Sequence, residues 1–383
     1  MSIIKTTKDL SALCLMLAKK PYVTVDTEFL RDRTYYPRLC LIQIAAAGTD
    51  AVAVDPLADG IDLAPLLALM QDKNVVKVFH AARQDLEIFY NLTGKIPAPL
   101  FDTQVAAMVC GHGDQIGYNN LVHDICGVRL DKGAQFTDWS RRPLSPRQLS
   151  YALDDVTYLR DVYESLKTRL AESGRLSWVQ EEMAILTDPA TYENPPEKAW
   201  ERIKVKSVRP DVLAVLQAVA DWREREAQRR DIPRGRVLKD EVLADIAVHP
   251  PKTVEHLCRI RNISADMAKS RHGKALLDAV KKGLDTPKDR QPAIIHKDRF
   301  PPDMAAALEM LKMLLRIQSS KHGVAAKLIA SSADLERVAL DPQADIPAMK
   351  GWRYDVFGQE AQKMFSGKLA LTLKGTQIVL LDL

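Results

Sequence analysis

The sequence predicts an α/β domain followed by all-helical domains. Strand-like and helix-like runs alternate over residues 1–110, the pattern is helical from Asp102 to Gly174, and two later stretches with helical apolar spacing follow Pro-rich polar segments. The 383 residues allow two or three domains. At 46% hydrophobic and 27% charged, the composition is that of a folded globular protein and excludes a disordered one.

The first elements follow from the spacing of apolar residues. A helix is expected over Thr7–Lys20, because apolar residues recur there at helical spacing. Alternating or continuous apolar runs predict strands, and amphipathic runs predict helices. In chain order these are strands Tyr22–Phe29, Leu39–Ala47 and Ala51–Asp55, helix Leu63–Met70, strand Val75–Phe79 and helix Ala82–Leu92.

One long helix is delimited by its own end signals. Ser145 is a predicted N-cap, Pro146 occupies the favoured first helical position, and Gln148 completes a capping box. Gly174 ends the segment. We therefore predict a single helix between Ser145 and Gly174.

The rest of the chain divides at its proline-rich segments. We predict a first domain over 1–187, a linker over 188–207, a helical domain over 208–284, a linker over 285–300 and a second helical region over 301–383. The tail alternates around Lys374-Gly375, which predicts a C-terminal hairpin.

Charge is distributed unevenly along the chain. Residues 1–200 carry a net charge of −5, residues 201–300 carry +8, and residues 301–383 carry +1. A local excess of positive charge favours a polyanionic partner such as nucleic acid. An ordinary solvated surface is the alternative explanation.

The expected location is the cytoplasm. No uninterrupted apolar run is long enough to cross a bilayer, so we expect no membrane association. The apolar run Leu10–Ala18 is preceded by Asp9 and is interpreted as part of the first helix. The five cysteines are widely spaced and contain no C-x-x-C pair, which is typical of a reducing compartment and suggests neither a disulfide framework nor a zinc site.

Asp26 and Glu28 are the first candidate catalytic residues. They stand two apart in an apolar strand, so their carboxylates point to the same face. Two like charges at about 4 Å repel by roughly 4 kcal/mol at an effective dielectric near 20. Protonation, a cationic side chain or a metal ion would relieve this repulsion. The alternative explanation is a strand end at which water solvates both acids, so that no such partner is needed.

Three further residues could join this pair. Asp85 lies early in a helix that follows a strand, where a carboxylate is also favoured simply by the helix dipole. Tyr151 and Asp155 are one turn apart on the long helix, which an intrahelical hydrogen bond would equally explain. Taken together, four carboxylates form an all-oxygen site that suits Mg²⁺ or Mn²⁺, and two such ions can catalyse phosphodiester hydrolysis.

At these positions the sequence resembles the ribonuclease D family, in the tyrosine-containing branch of the DEDD exonucleases. The resemblance extends over nearly the whole chain. Its three motifs are Val25-Asp26-Thr27-Glu28-Phe29, Phe79-His80-Ala81-Ala82-Arg83-Gln84-Asp85 and Tyr151-Ala152-Leu153-Asp154-Asp155, and its flanking stretches are Tyr35-Tyr36-Pro37-Arg38-Leu39-Cys40-Leu41-Ile42-Gln43, Phe101-Asp102-Thr103-Gln104 and Gln135-Phe136-Thr137-Asp138-Trp139.

The resemblance implies a role for each motif residue. Asp26, Glu28 and Asp155 would hold one metal ion, Asp26 would bridge to a second ion with Asp85, and Tyr151 would position the attacking water. The implied fold is a ribonuclease H-like mixed sheet flanked by helices, followed by two small all-α domains of the HRDC type, the second more divergent.

The implied function is that of a 3′-to-5′ exoribonuclease. It would release nucleoside 5′-monophosphates with Mg²⁺ or Mn²⁺ in a two-metal site. Its partners would be tRNA precursors and other structured RNAs with single-stranded 3′ ends, in tRNA 3′-end maturation, and the enzyme would be a monomer. A DNA exonuclease with the same chemistry and a non-catalytic RNA-binding adaptor are the competing hypotheses; the adaptor is disfavoured because all five motif residues are present.

Basic residues in two regions are the candidates for RNA contacts. They are Lys132 and Arg142 in the first domain, and Arg229, Arg230, Arg234 and Arg236 in the basic middle domain. For Lys132 and Arg142, an ordinary charged surface without RNA contact is the alternative explanation. Pairing with the acids of the same helix would explain some of the others.

Overall fold

The structure is a computed structural model that describes residues 3–131, 133–135, 137–205, 209–293 and 300–383. Its first part is built on a six-stranded mixed sheet in the order β1-β4-β3-β2-β5-β6. β2 runs antiparallel to β3 and parallel to β5, which places it inside the sheet. The strands are β1 (Ile3–Ile4), β2 (Tyr22–Leu30), β3 (Arg38–Ala45), β4 (Val52–Val54), β5 (Val76–Phe79) and β6 (Leu100–Asp102).

Seven helices accompany this sheet: α1 (Thr7–Leu17), α2 (Ala64–Met70), α3 (Arg83–Thr93), α4 (Thr103–Val109), α5 (Tyr118–Cys126), α6 (Pro146–Glu172) and α7 (Leu176–Leu186). The α/β pattern predicted for residues 1–110 is confirmed, with element ends within three residues of the predicted ones. The prediction of continuous helix from Asp102 to Gly174 is wrong, because the described residues between α5 and α6 contain turns and extended backbone. Helical spacing alone did not distinguish this loop from a helix.

The long helix α6 is confirmed, including its start. The Ser145 hydroxyl accepts a hydrogen bond from the Gln148 N–H at 3.2 Å, and the Gln148 side chain accepts one from the Ser145 N–H at 3.0 Å. Further along, the Thr24 hydroxyl on β2 donates to the carbonyl of Val156 at 2.8 Å. Helix α6 is thereby fixed against the strand that carries Asp26.

The second part is all helical. Its helices are α8 (Pro210–Arg230), α9 (Arg234–Val237), α10 (Asp240–Val248), α11 (Val254–Leu257), α12 (Ala265–Lys269) and α13 (Arg271–Leu284). The preceding segment, predicted as a linker, contains 3₁₀ helices at Pro189–Thr191 and Pro196–Arg202. Ala199 and Ile203 are buried in the core of this helical part, so the linker contributes to its packing.

The third part contains short helices and the predicted hairpin. It comprises 3₁₀ turns at Pro302–Met304 and Pro347–Met349, helices α14 (Ala305–His322), α15 (Ala326–Ile329), α16 (Ser332–Leu340) and α17 (Gly351–Arg353), a π-helical turn at Tyr354–Gly358, helix α18 (Gln359–Phe365), and strands β7 (Leu369–Lys374) and β8 (Gln377–Asp382). A further 3₁₀ turn, Lys288–Arg290, precedes it. β7 and β8 pair antiparallel, which confirms the hairpin.

The third part packs directly on the first. The rings of Trp178 in α7 and Trp352 in α17 are stacked with centroids 4.3 Å apart. Arg353 forms ion pairs with Glu181 and Glu182 of α7. Among the described residues, no helix is both long and apolar enough to span a membrane.

Gly283 allows helices α13 and α8 to approach each other closely. A Cβ atom at this position would lie 2.5 Å from the Cα of Val215 and 2.9 Å from the carbonyl oxygen of Ala214. Because these are backbone atoms, we expect Gly283→Ala to lower the free energy of unfolding by about 1–3 kcal/mol, measured by urea denaturation. Gly235→Ala is the control, since a Cβ there meets no atom within 4 Å; an equal loss in both variants would contradict the packing explanation.

Candidate active site

Three carboxylates converge between β2 and α6. Asp26 and Glu28 project from β2, Asp155 projects from α6, and one oxygen of each lies within 4.8 Å of the others. The fixed contact between Thr24 and Val156 places Asp155 next to Asp26. The sequence prediction that the two strand carboxylates share one face agrees with this geometry.

Asp85 lies beside this group in the first turn of α3. It is 6% exposed, and its carboxylate accepts a short hydrogen bond from the hydroxyl of Thr27. Thr27 stands between the two strand carboxylates, so alternation directs it to the opposite face of β2. Asp85 therefore approaches the site from the α3 side of the strand and lies outside the set of three whose oxygens converge within 4.8 Å.

Burial and crowding raise the pKa of every carboxyl in this cluster. Burial and the charge of Asp155 raise the pKa of Asp26 well above its ordinary value. Burial, followed by the charges of the neighbouring acids, raises the pKa of Glu28 to about 10. For Asp155, burial and then Asp154 and Asp85 raise the pKa to about 8. The same effects, burial and then Asp26, raise the pKa of Asp85.

Burial and neighbouring acids, rather than any basic side chain of the described residues, dominate these pKa shifts. A divalent cation among the carboxylates would favour their ionised forms. Gln43 is a second indication that the site accommodates a further polar or charged group. Its side chain is fully buried on β3, directly across from Asp26. Within the described part of the chain, neither of its amide atoms has a hydrogen-bond partner. An all-oxygen donor set of this kind fits Mg²⁺ or Mn²⁺.

The raised pKa values predict how stability depends on pH without metal. An acid whose folded-state pKa is raised contributes stability that is present below its unfolded pKa and is lost as pH rises through its folded pKa. For Asp155 this window runs from 3.8 to about 8, and for Glu28 from 4.5 to about 10. Urea denaturation in EDTA should therefore show stability falling from about pH 5 to about pH 8, and Mg²⁺ should reduce the fall. A pH-independent stability in EDTA would contradict the cluster's electrostatics.

Tyr151 stands at the edge of the carboxylates. Burial and the charges of Asp155, Glu28 and Asp26 raise the pKa of its phenol further above the ordinary value. The hydroxyl thus stays protonated at neutral pH and can orient a water molecule but cannot act as a base. Its ring packs against Trp139 with centroids 6.1 Å apart.

Asp102 holds the loop between β5 and α3 in place. Its carboxylate accepts from the N–H groups of Ala81 and Ala82 at 3.1 and 2.8 Å and also caps α4. Ala81 has a φ of 56°, a conformation unfavourable for a residue with a Cβ. These hydrogen bonds fix the backbone just before Asp85, so Asp102 helps to position Asp85 in the site.

Both ring nitrogens of His80 lie close to polar atoms of neighbouring residues. Its Nε2 lies 3.1 Å from the carbonyl oxygen of Ile116 and its Nδ1 lies 3.0 Å from the hydroxyl of Thr103. Burial lowers the pKa of the imidazole below its ordinary value. His80 therefore lines the site as a neutral imidazole, with its ring nitrogens next to Thr103 and Ile116.

The carboxylates open into a cleft of about 550 Å³. Besides residues named above, its lining includes several side chains that the sequence analysis did not assign to the site, namely Phe29, Gln84, Tyr118, Gln135 and Thr137. Trp139 is 2% exposed and also lines the cleft. The family-like flanking stretches were the available signal for the residues at 135–139.

Most of the predicted RNA-contacting cations are engaged within the fold. Arg142 donates to both carboxylate oxygens of buried Asp55 at 2.7 Å. Arg229 and Arg230 pair with Glu226, and Arg234 pairs with Glu224. Arg236 is exposed, and the structure records no ion pair for it with any described residue. Lys132 and Phe136 lie outside the described residues.

Comparison with known proteins gives one consistent result. A family model described as "3'-5' exonuclease" matches residues 1–171, and one described as "HRDC domain" matches residues 212–280. The chain is 51% identical over 379 residues to a ribonuclease D of Nitrobacter hamburgensis, covering 99% of both chains. It is 49% identical to a ribonuclease D of Gluconacetobacter diazotrophicus, covering 98% of this chain and 95% of the relative.

A solved structure agrees along almost the full length. The crystal structure of Escherichia coli RNase D, described as an exoribonuclease involved in structured RNA processing, aligns with a TM-score of 0.82 at 33% identity. The alignment covers 96% of this chain and 98% of that one.

Proposed function

The chain belongs to the ribonuclease D family and is a 3′-to-5′ exoribonuclease, and from this premise we propose that it removes nucleotides by divalent-metal-dependent hydrolysis at the cluster of Asp26, Glu28, Asp85 and Asp155. The observation that supports this most directly is the convergence of three partly buried carboxylates whose pKa values are raised by desolvation and mutual repulsion. Such a cluster is costly unless a cation compensates it.

Each residue has a chemical task in this proposal. Asp26, Glu28 and Asp155 would hold one Mg²⁺ or Mn²⁺, and Asp85 together with Asp26 would hold a second. Bound metal stabilises charge on the attacking and leaving oxygens. Tyr151, kept protonated, orients the water whose oxygen forms the new bond to phosphorus. The P–O3′ bond to the preceding nucleotide breaks, so the product is a nucleoside 5′-monophosphate.

The substrates proposed are tRNA precursors and other structured RNAs with single-stranded 3′ ends, processed by a monomer. Support comes from the +8 net charge of residues 201–300 and from the HRDC match within that region. Arg236 is exposed and has no recorded ion pair with a described residue, whereas Arg142, Arg229, Arg230 and Arg234 make ion pairs. The proposed organisation keeps an exonuclease domain, an HRDC domain and a divergent HRDC-like domain with the hairpin, with residues 196–203 assigned to the HRDC core.

The decisive test is digestion of 5′-labelled single-stranded RNA and matched DNA with Mg²⁺, with Mn²⁺ and with EDTA. A descending ladder on RNA that requires metal, with nucleoside 5′-monophosphates as product, would support the proposal. Faster trimming of DNA would assign the enzyme to DNA repair instead. RNA binding without a ladder would favour the adaptor hypothesis.

A further inference from the structure

The turn between β2 and β3 lies at the end of β2 that carries Glu28. Leu30, two residues after Glu28, pairs with Arg38 at the start of β3. Strand and chain geometry then place the Cα of Tyr36 within about 20 Å of the Cα of Glu28. A short single-stranded segment of substrate can span that distance.

Tyr35 anchors this turn to the HRDC domain. It is 8% exposed, and its hydroxyl donates to Glu224 and accepts from Gln228 at 3.2 Å and Arg234 at 2.9 Å. Arg234 also lies over the Tyr35 ring, 4.7 Å from its centroid. The turn is therefore a rigid joint between the catalytic strand and helix α8.

Tyr36 is held equally firmly but faces solvent. Its N–H donates to Asp231 at 3.0 Å, its carbonyl accepts from the Thr34 hydroxyl at 2.6 Å, and Pro37 restricts its backbone. Its ring meets Tyr35 edge-on with centroids 4.8 Å apart and remains 38% exposed. An aromatic ring fixed in this way loses little entropy when a planar ligand stacks on it.

The surrounding charges allow a polyanion to approach. Arg38 is exposed two residues away. The two acids near the ring are already occupied, because Glu224 pairs with Arg234 and Asp231 accepts two backbone N–H groups. An exposed aromatic beside a cation is the usual combination for binding single-stranded nucleic acid.

We propose that Tyr36 is a stacking platform for a base of the RNA strand upstream of the scissile nucleotide, with Arg38 contacting the backbone phosphate. The proposal rests on the exoribonuclease function proposed above and extends its substrate path from the carboxylates to the domain joint.

The test compares kcat and KM on a twenty-nucleotide single-stranded RNA. Tyr36→Ala should raise KM roughly tenfold, within the range measured for loss of one stacked base, and change kcat less than about twofold. Tyr36→Phe keeps the ring and should keep the low KM. Phe365→Ala is the matched control, because Phe365 is 37% exposed in the third part of the chain and should leave KM unchanged. Arg38→Ala should make KM less dependent on salt.

An unchanged KM in Tyr36→Ala, or an equal rise in Phe365→Ala, would overturn the platform. Urea denaturation of Tyr36→Ala and Tyr36→Leu checks that the Tyr35 joint is intact. If the wild-type protein cleaves no RNA, the proposed function fails. Fluorescence anisotropy with the same RNA then tests the stacking platform alone, by comparing the RNA affinity of Tyr36→Ala with that of Tyr36→Phe and Phe365→Ala.

The amide of Gln43 on β3 is a second unexplained feature near the carboxylates. The Gln43 side chain is fully buried, and neither amide atom has a hydrogen-bond partner among the residues that the structure describes. Leaving such an amide unpaired is unfavourable. Gln43 stands directly across from Asp26, and paired residues of adjacent strands project to the same face.

We infer that Gln43 is a positioning residue for Asp26: cross-strand pairing places its amide N–H to donate to the Asp26 carboxylate. Residues that hydrogen-bond to metal ligands usually affect metal affinity or activity about 10–100-fold. This role would give a partner to a buried amide that has none among the described residues.

Gln43→Met tests this assignment, since it removes the amide and keeps the side-chain length. Thermal stability in EDTA should stay equal or increase, the Mn²⁺ concentration for half-maximal thermal stabilisation should rise roughly tenfold, and kcat should fall without a change in KM. Gln318→Met is the matched control, because Gln318 in α14 is also fully buried with both amide atoms unpaired among the described residues. If the two variants respond to Mn²⁺ and turn over RNA alike, Gln43 has no positioning role.

Discussion

Asp26→Asn should lower kcat about a thousandfold or more while leaving the fold and the affinity for RNA nearly unchanged. The reason is that the substitution removes a carboxylate shared by the whole cluster without changing the side-chain size. The loss should appear in single-turnover RNA digestion with Mg²⁺. RNA binding, measured by anisotropy, should change little, because the proposed RNA contacts of Tyr36, Arg38 and Arg236 do not involve Asp26.

The same variant should be more stable than the wild-type protein in EDTA. Burial and the charge of Asp155 raise the pKa of Asp26, so removing its ionisable group relieves a repulsion that the metal-free wild-type protein retains. Asp154→Asn is the matched control: it lies next to Asp155 on α6 but outside the converging group. Normal turnover by Asp26→Asn would overturn the site assignment, and equal inactivation by Asp154→Asn would show that the effect is not specific to the cluster.

The predicted elements of the site come from strong local signals. The D-x-E pair lies on a strand with clear apolar character, and α6 is delimited by a capping box, so both could be located from residues close in sequence. The convergence of Asp26 with Asp155 then follows from packing α6 on β2. The sequence could suggest this packing only through the family resemblance.

Contacts between distant residues were not predictable in this way. Thr27 stands between the two strand acids and faces the opposite side of β2, where it hydrogen-bonds to Asp85 because α3 packs on that side. The orphaned amide of Gln43 likewise becomes visible only when β3 is paired with β2. Periodicity assigns a face to each side chain, whereas the partner on that face depends on the tertiary arrangement.

The basic residues illustrate the same limit. Arg229 pairs with Glu226 on its own helix, which the i,i+3 spacing suggested. Arg234, in contrast, is directed inward by Tyr35, a residue 199 positions away. A cluster of arginines in a sequence therefore predicts ion pairs within a helix more reliably than it predicts which arginines are free to bind a ligand.

Glu224→Ala should lower the free energy of unfolding by about 3 kcal/mol, since breaking a buried ion pair leaves a charge without compensation. Glu224 is fully buried and bonds both Arg234, with two contacts of 2.6 Å, and the hydroxyl of Tyr35. Although burial opposes it, hydrogen bonds from Arg234 and Tyr35 hold the pKa of Glu224 below its ordinary value. Urea denaturation measures the loss, and Glu309→Ala, which removes an exposed pair with Lys312, should cost under about 1 kcal/mol.

A double-mutant cycle distinguishes the joint from a simple packing defect. If Glu224 acts through Tyr35, the effects of Glu224→Ala and Tyr35→Phe should be strongly non-additive, because each removes the same hydrogen bond between the first domain and α8. Additive effects would mean that Glu224 stabilises the HRDC domain alone. In the non-additive case, loss of the joint should also raise KM for single-stranded RNA as Tyr36→Ala does, because Tyr36 is then no longer held beside the path to the carboxylates.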